Sequence, residues 1–327
     1  MTATASVSRR DILQGSAATL LAAATPLPAL AAAPMRNTQA PVFYRFKIGA
    51  FEATAISDGP LDLGEPKAEM FSGLGPDEFK KALDDNFLPA DKLSLQQNVL
   101  VVNTGREIVL FDTGLGPATM MGSKTGRLLA NLEAANITPG AIDAVVLTHA
   151  HPDHCWTLMT GERGRNFPNA KIYMMQPEFD FWTNEANATN DMMKAFVGGT
   201  RKQLLPNREH ITFIKDGQEV LSGIQAIATP GHTIGHTSYM ITSEGKSLCN
   251  AGDIVHHHIL SMQKPRAAFA FDADGNQGAQ TRMRMLDMMS ADKTRMLAFH
   301  FPWPGIGYVA RQGDAYRYVP EPFETAL

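Results

Sequence analysis

The chain has 327 residues, 44% of them hydrophobic and 19% charged, and a formal net charge of −4. A chain of this length and composition is expected to bury a large core, as one domain of two layers or as two intimate halves. Lysine and arginine are scattered without a basic stripe, which excludes nucleic acid as an expected partner.

The first 33 residues differ in kind from the rest and predict a signal peptide. The run Ser8-Arg9-Arg10-Asp11-Ile12-Leu13-Gln14 is followed by an Ala/Leu-rich stretch that ends in Ala29-Leu30-Ala31. This pattern is typical of a twin-arginine export signal with a small-residue cleavage site. The stretch is short for a membrane span and two prolines interrupt it. We therefore expect residues 34–327 to form a soluble, periplasmic or secreted protein with no membrane anchor.

Hydrophobic periodicity along the rest of the chain predicts a layered α/β protein, because helices fall between strands in both halves. Hairpins are expected over 42–57 and 98–111. The Pro/Gly-rich excursion between them, Gly59 to Lys92, is a candidate site wall or oligomer contact. The predicted helices cover 77–86, 126–135, 177–183, 189–205 and 281–290, and the later strands cover 144–147, 171–175, 211–214, 224–228, 239–241 and 247–250.

A dense histidine cluster directly follows the apolar run at 144–147. It places three imidazoles and a carboxylate within six positions, at His149, His151, Asp153 and His154. A strand alternates its side chains, and Pro152 forces a turn that can fold His154 back toward the other three. Imidazole nitrogen and carboxylate oxygen suit zinc and its first-row neighbours. The cluster predicts a metal site at a strand end, against the alternative of a polar loop that happens to hold histidines.

Three more candidate ligands each follow an apolar β-like run, namely His232, Asp253 and His300. Strand ends converge on one edge of a sheet, and Gly231 and Gly252 allow the backbone to turn sharply before two of these residues. Five imidazoles and two carboxylates exceed what one tetrahedral zinc uses. The set suits two metals bridged by an aspartate.

The combined motif resembles that of the metallo-β-lactamase-fold hydrolases. The chain has His-x-His-x-Asp-His from 149, Thr-Pro-Gly-His-Thr-x-Gly-His from 229, Gly-Asp at 252–253 and a late histidine, in the family's order. The resemblance implies an α/β fold, a four-layer αβ/βα sandwich, as the hydrolase domain at 34–327. It also implies two divalent ions, zinc by default, one on His149, His151 and His232 and the other on Asp153, His154 and His300, with Asp253 shared.

Three further segments resemble methyl parathion hydrolase and its lactonase relatives. They are Phe167-Pro168-Asn169-Ala170, Phe301-Pro302-Trp303-Pro304-Gly305-Ile306-Gly307 and Tyr316-Arg317-Tyr318-Val319-Pro320. This resemblance implies an exported enzyme, expected to be a homodimer, with two metal ions. Its substrates would be small molecules: lactones, aryl esters or organophosphate triesters.

The same resemblance assigns a substrate pocket. It implies aromatic walls from Trp182 and Phe196, for which core packing is the alternative, and further pocket positions at Met121, His256 and Phe271. Met121 replaces a pocket aromatic, and His256 stands where the phosphotriesterase has leucine and acyl-homoserine lactonases have tyrosine. His256 is expected either to stabilise negative charge on a substrate oxygen or to be a solvated or ligand-supporting loop residue.

Other residues are expected to support the site. His236 would orient a metal ligand, and Asp112 would fix a turn beneath the site. Relatives usually have a Gly-Gly pair where this chain continues with Cys155-Trp156, so bulk is expected close to the metals. Cys155 and Cys249 are too few for a disulfide framework, and either two buried thiols or a single bridge between them is open.

The expected chemistry is hydrolysis. Two divalent ions that share a hydroxide lower the pKa of the parent water and polarise the oxygen under attack. Asp153 is the candidate to orient the nucleophile or to move its proton to the leaving group, and Asp253 is required as the shared ligand. Two alternatives stay open: a thiolester hydrolase of the glyoxalase II type and a non-catalytic exported metal-binding protein.

Overall fold

The computed structural model describes residues 35, 37–118, 120–161 and 164–326. The predicted signal peptide at 1–33 lies outside the described residues. Residues Pro41–Leu327 form a compact unit, and the description below concerns that unit. Within the described ranges, no helix has both the length and the apolar character that a membrane span requires.

The described residues contain the following strands and helices in chain order. The strands are β1 Phe43–Ile48, β2 Phe51–Ser57, β3 Leu61–Asp62, β4 Phe71–Ser72, β5 Ser94–Leu95, β6 Asn98–Asn103, β7 Ile108–Phe111, β8 Ala144–Val146, β9 Met159–Thr160, β10 Gly164–Arg165, β11 Lys171–Met175, β12 Ile211–Ile214, β13 Glu219–Leu221, β14 Ile224–Ala228, β15 Thr237–Ser243, β16 Lys246–Gly252, β17 Ala268–Phe269, β18 Arg295–Ala298, β19 Ile306–Gln312 and β20 Ala315–Pro320. The helices are α1 Pro76–Asp85, α2 Leu128–Ala134, α3 Pro152–Cys155, α4 Gln176–Thr183, α5 Asp191–Leu204, α6 Leu260–Gln263 and α7 Gly275–Asp292. Short 3-10 turns occupy Ala68–Met70, Pro139–Ala141, Glu185–Asn187 and Leu205–His210.

Two seven-stranded mixed sheets form the centre of the unit. The first has the order β1-β2-β6-β7-β8-β11-β12 and the second has the order β13-β14-β15-β16-β18-β19-β20. Strands β7, β8, β11 and β12 run parallel, as do β16 and β18, and the helices supply the crossovers that parallel pairing requires. The carboxyl ends of β8, β16 and β18 carry the predicted metal ligands.

Strand alternation divides the core into three apolar layers, which makes the fold four layers deep. In β6, Val99 and Val101 face the cluster that includes residues of α2 and α5, whereas Leu100 and Val102 face the second sheet. The outer face of the second sheet packs against α7. The predicted αβ/βα sandwich is confirmed.

A fourth apolar cluster covers one end of the sandwich. It joins residues of the excursion, such as Phe71, Phe79 and Leu83, to Leu260 and Phe269 of the segment after β16. Strands β4 and β17 pair through Phe71 and Phe269, which fixes the excursion against that segment. The excursion therefore has a small core of its own beside the strand ends.

The predicted hairpins at 42–57 and 98–111 are confirmed. The helix predicted at 281–290 is longer, because it begins at Gly275 and ends at Asp292. Asp274 caps its start by accepting a hydrogen bond from the Gln277 N–H, and Lys293 ends it in the left-handed conformation. The sequence pattern missed the first six residues of the helix because they include few apolar side chains.

Both cysteines are free and fully buried, so the open alternative of a disulfide is wrong. Burial raises the pKa of Cys249 to about 12 and holds that of Cys155 well above its usual range. Because the thiolate is the reactive form, we expect no reaction of the native protein with a thiol-specific disulfide reagent. Two thiols per chain should appear after unfolding in guanidinium. Rapid labelling of the native protein would contradict the buried positions, and fewer than two thiols after unfolding would contradict the free state.

Candidate metal centre

The predicted ligands meet where the carboxyl ends of strands from both sheets come together. The loop after β8 carries His149 and His151, and the one-turn helix α3 carries Asp153 and His154. The second sheet contributes the rest from the loop after β14 and from the ends of β16 and β18, namely His232, Asp253 and His300. The two sheets are joined beneath the site by the Tyr239 hydroxyl, which donates to the Leu147 carbonyl at 2.8 Å.

The ligands form two sets of buried side chains. In the first, Nδ1 of His151 lies 3.1 Å from Nε2 of His149 and 2.9 Å from Nε2 of His232. In the second, Oδ2 of Asp153 lies 3.5 Å from Nε2 of His154 and 3.4 Å from Nε2 of His300. Each set therefore offers three donor atoms at the spacing of atoms that share a metal ion.

Asp253 lies between the two sets. Its Oδ2 is 3.4 Å from Nε2 of His232 and 3.9 Å from Nε2 of His149 on one side. On the other side it is 3.4 Å from Nε2 of His154 and 3.0 Å from Nε2 of His300. One carboxylate thus faces both sets, as a bridging ligand would.

The donor set fits two divalent ions. Nε2 of His154 and Oδ1 of Asp253 are buried and have no hydrogen-bond partner among the described residues. Leaving such groups unpaired costs about 1–3 kcal/mol each, and more for a charged group. Crowded imidazole nitrogens and carboxylate oxygens are the ligands that zinc and similar ions take.

Burial and neighbouring charges divide the imidazoles into two kinds. Burial, reinforced by nearby imidazoles, holds the pKa values of His149 and His151 well below the usual range. Burial also lowers the pKa values of His154 and His300, but carboxylates outweigh it, Asp253 first, so both pKa values are raised. Neutral imidazole binds metal directly, whereas at His154 and His300 a metal ion competes with a proton.

Further buried side chains orient the ligands. Oδ2 of Asp112 lies 2.9 Å from Nδ1 of His154, and the same carboxylate accepts from the N–H and hydroxyl of Thr148. Asp112 therefore holds a ligand as well as the turn that the sequence predicted. Nε2 of His236 accepts from the Asp253 N–H at 2.9 Å. Gly252, at φ 55°, lets that nitrogen approach, because a Cβ there would lie 2.7 Å from it.

Two carboxylates that orient the site were missed by sequence reasoning. Nδ1 of His232 lies 2.9 Å from Oδ1 of Asp272, whose carboxylate has no solvent exposure. Glu178 is fully buried on α4 and accepts from the Ala150 N–H at 2.9 Å and the Gly235 N–H at 2.8 Å. Glu178 thus joins the loop of His149 and His151 to the loop of His232. Two features of the sequence could have indicated these carboxylates. Asp272 begins an Asp-x-x-Gly motif at the start of α7, and Glu178 lies four residues before Trp182.

Glu178→Gln is expected to destabilise the protein by about 1–3 kcal/mol. Both carboxylate oxygens of Glu178 accept hydrogen bonds from N–H groups. The amide nitrogen of a glutamine at this position would therefore face at least one buried donor. Equilibrium urea unfolding would measure the loss, with the exposed Glu209→Gln as the matched control. Equal stability of the two variants would contradict a linking role for Glu178.

A cavity opens beside the ligands and contains most of the predicted pocket residues. Its lining residues are Leu61, Leu63, Leu95, Met121, His151, Asp153, Phe196, His232, Asp253, His256, Phe269, Phe271 and His300. Trp182 lies outside this lining. It is buried behind His151, with ring centroids 5.2 Å apart, and its Nε1–H donates to Glu178 Oε1 at 2.7 Å. Trp182 therefore packs in the core, which was the alternative to its predicted place in the pocket wall.

His256 is buried, so the solvated-loop alternative is wrong. Its ring stacks on Phe269 with centroids 4.1 Å apart, and Nε2 lies 3.5 Å from Asp253 Oδ2. Neither ring nitrogen has a hydrogen-bond partner among the described residues, and burial lowers the pKa of His256 to about 4. A neutral imidazole with free hydrogen-bonding capacity therefore borders the cavity.

Trp156, which the sequence predicted as bulk close to the metals, does not border the cavity. Its Nε1–H donates to Thr200 Oγ1 on α5 at 3.0 Å, and its ring packs against Gly199 of that helix. Cys155 points toward the Ala150 carbonyl. The absence of a side chain at Gly199 leaves room for the Trp156 ring. Neither Cys155 nor Trp156 borders the cavity.

Two sets of histidine and aspartate ligands joined by one aspartate, at the strand ends of an αβ/βα sandwich, define a metallohydrolase type of site. Residues 94–299 match the model of the Metallo-beta-lactamase superfamily, and the chain belongs to that superfamily.

The chain is also similar to solved structures and to a curated protein. The chain resembles AidC, a dizinc quorum-quenching lactonase solved with the product N-hexanoyl-L-homoserine, at 28% identity and a TM-score of 0.80 over 86% of this chain and 98% of that one. It resembles the hydrolase AbOPH of the beta lactamase superfamily at 27% identity and a TM-score of 0.81 over 88% and 100%. It is 24% identical to the uncharacterized protein YobT of Bacillus subtilis over 60% of this chain and 78% of YobT.

Proposed function

We propose that this protein is a hydrolase with two divalent metal ions, zinc by default, that cleaves small hydrophobic esters, and lactones first among them. The observation that carries the proposal is the position of Asp253, whose Oδ2 lies 3.0–3.9 Å from imidazoles of both ligand sets. AidC, described as a dizinc lactonase, shares 28% of its sequence with this chain across nearly its whole length, which supports the same chemistry.

The chain's own residues position the reaction. When bound, the two ions supply Lewis acidity and an activated water. Asp153 borders the cavity, and in this proposal its carboxylate would accept a proton from the attacking water and pass it to the leaving oxygen. His256 offers an N–H to an oxygen that gains negative charge. Buried apolar walls, including Leu61 and Phe269, keep bulk water away from the reacting atoms.

The cavity walls favour lactones and aryl esters over phosphotriesters. Phe196, Phe269 and Phe271 give an aromatic lining, which suits a flat or apolar substrate. The polar His256, and Met121 in place of an aromatic, weaken a dedicated organophosphate role. We therefore propose that methyl parathion-type triesters are turned over slowly, as a side activity.

We also propose the cellular setting that the sequence predicts. The twin-arginine run at Ser8 to Gln14 supports export to the periplasm or beyond. Export of an already folded protein would allow the metal ions to be loaded before transport. We propose in addition that the protein is a homodimer in solution.

One rate comparison tests the proposed function. The purified protein, with its metal content measured, is assayed on an aliphatic lactone, an aryl ester, a thiolester and a dialkyl aryl phosphate. We expect the lactone or the aryl ester to have the highest kcat/KM. A preference for the thiolester would favour the glyoxalase II-type alternative. Two metals per chain without turnover of any substrate would favour a non-catalytic metal-binding protein.

A further inference from the structure

We propose that Asp272 and Arg282 couple the metal ligand His232 to the aromatic wall of the cavity, so that metal retention and substrate selection depend on one carboxylate. The test of substrate selection rests on the proposed function, whereas the tests by metal retention and by NMR do not.

The two oxygens of Asp272 contact different parts of the site. Oδ1 lies 2.9 Å from Nδ1 of His232, the nitrogen opposite the one that faces His151 and Asp253. Oδ2 accepts from the Phe269 N–H at 2.9 Å and lies 3.3 Å from Nη2 of Arg282. A carboxylate that holds a ligand imidazole commonly sets its orientation. Here the same carboxylate also holds the cavity wall.

Arg282 fixes the segments on either side of that wall. Its side chain is almost fully buried on α7, where its Nε–H donates to the Ile254 carbonyl at 2.6 Å. Nη1 donates to the carbonyls of Pro265 and Ala267 at 3.0 and 2.8 Å. Ile254 follows the shared ligand Asp253 directly. One guanidinium therefore connects the end of β16, the wall segment and Asp272.

The segment held in this way forms the substrate side of the cavity. Phe269 and Phe271 both border the cavity, with ring centroids 5.5 Å apart. Phe269 also stacks on His256. A change at Asp272 is therefore transmitted to two aromatic rings and to the imidazole proposed to contact the substrate.

The other metal position provides a matched control. Asp112 holds Nδ1 of His154 at 2.9 Å, the same contact type and distance as Asp272 with His232. Among the described residues the other hydrogen-bond partner of the Asp112 carboxylate besides His154 is Thr148, and neither Asp112 nor Thr148 borders the cavity. Loss of Asp112 should weaken metal binding without moving the wall.

The experiment compares Asp272→Asn, Asp112→Asn and Arg282→Lys in the full protein. Chelator titration with metal analysis should show that each asparagine variant releases one of two ions about 10–100-fold more readily than the wild type. At saturating zinc, the kcat/KM ratio of an aryl ester to a lactone should change by at least about fivefold in Asp272→Asn. It should stay unchanged in Asp112→Asn. Arg282→Lys keeps the positive charge but has fewer donors, and should change the ratio while it retains both ions.

Fluorine NMR of protein labelled with fluorophenylalanine gives a readout that does not require turnover. The Phe269 and Phe271 resonances, assigned by single substitutions, should move in Asp272→Asn and stay in place in Asp112→Asn. Wild-type metal retention in Asp272→Asn, or equal shifts in the two asparagine variants, would overturn the coupling. If the wild type hydrolysed neither ester, the proposed function would fail, and the metal and NMR results would still decide the role of Asp272.

Discussion

Asp253→Asn is expected to abolish metal binding and hydrolysis while leaving the fold intact. Oδ2 of Asp253 faces imidazoles of both ligand sets, and an amide would remove the negative charge and place an NH2 group among them. Partners that only orient a ligand contribute about 10–100-fold to metal affinity. Loss of the shared ligand should therefore exceed about 100-fold. Metal analysis after dialysis against a weak chelator, with a lactone assay on the same sample, measures both effects.

The exposed Asp180→Asn on α4 is the matched control, because it makes the same chemical change without contact to the ligands. It should retain metal and activity. Circular dichroism and a thermal melt would show that both variants fold. An Asp253→Asn protein with two ions per chain and the wild-type rate would contradict a bridging role.

Gly199→Ala and Gly198→Ala are expected to change stability in opposite directions. A Cβ at Gly199 would lie 2.1 Å from Cζ2 of Trp156, whereas a Cβ at Gly198 would meet nothing within 4 Å. Overpacking against a rigid ring costs about 1–3 kcal/mol or more, so we expect a loss of about 3 kcal/mol at Gly199. Alanine at Gly198 should stabilise the protein by up to about 1 kcal/mol, because it lowers the entropy of the unfolded chain. Urea unfolding of both variants measures the difference.

The partner of the clash can be tested with Trp156→Phe. Phenylalanine lacks the indole atoms nearest to Gly199, so Gly199→Ala should cost less in that background than in the wild type. Equal costs in the two backgrounds would contradict the packing of Trp156 on α5. A stabilising Gly199→Ala would contradict it as well.

The grouping of the seven candidate metal ligands could be predicted because their signals are local. Four of them follow one apolar run at 144–147, and each of the other three follows a run of its own, as His300 follows Met296-Leu297-Ala298-Phe299; strand ends meet at one edge of a sheet. The hydrophobic patterns predicted a layered α/β protein, and the resemblance to the family implied its four layers. The structure confirms these layers, since Val99 and Leu100 face opposite sides of β6.

The supporting residues His236 and Asp112 could be predicted, whereas Asp272 and Glu178 were missed because their roles depend on contacts that are distant in the sequence. Asp272 and His232 are 40 positions apart, and Glu178 and Gly235 are 57 apart, so the short motifs around Asp272 and Glu178 do not identify their partners. The packing of Trp156 could not be predicted because the glycine that leaves room for its ring, Gly199, lies on another element, α5. Trp182 was predicted as a pocket wall, but its indole nitrogen donates to Glu178 on the same helix and lies away from the cavity.

Zinc titration of the metal-free protein tests the central claim most directly. Metal is removed by a chelator, its absence is verified by elemental analysis, and the lactone rate is followed as zinc is added. The rate should be absent at the start and should saturate at two equivalents per chain, because Asp253 joins two ligand sets. Full activity in the verified metal-free protein, or saturation at one equivalent, would contradict a two-metal hydrolase.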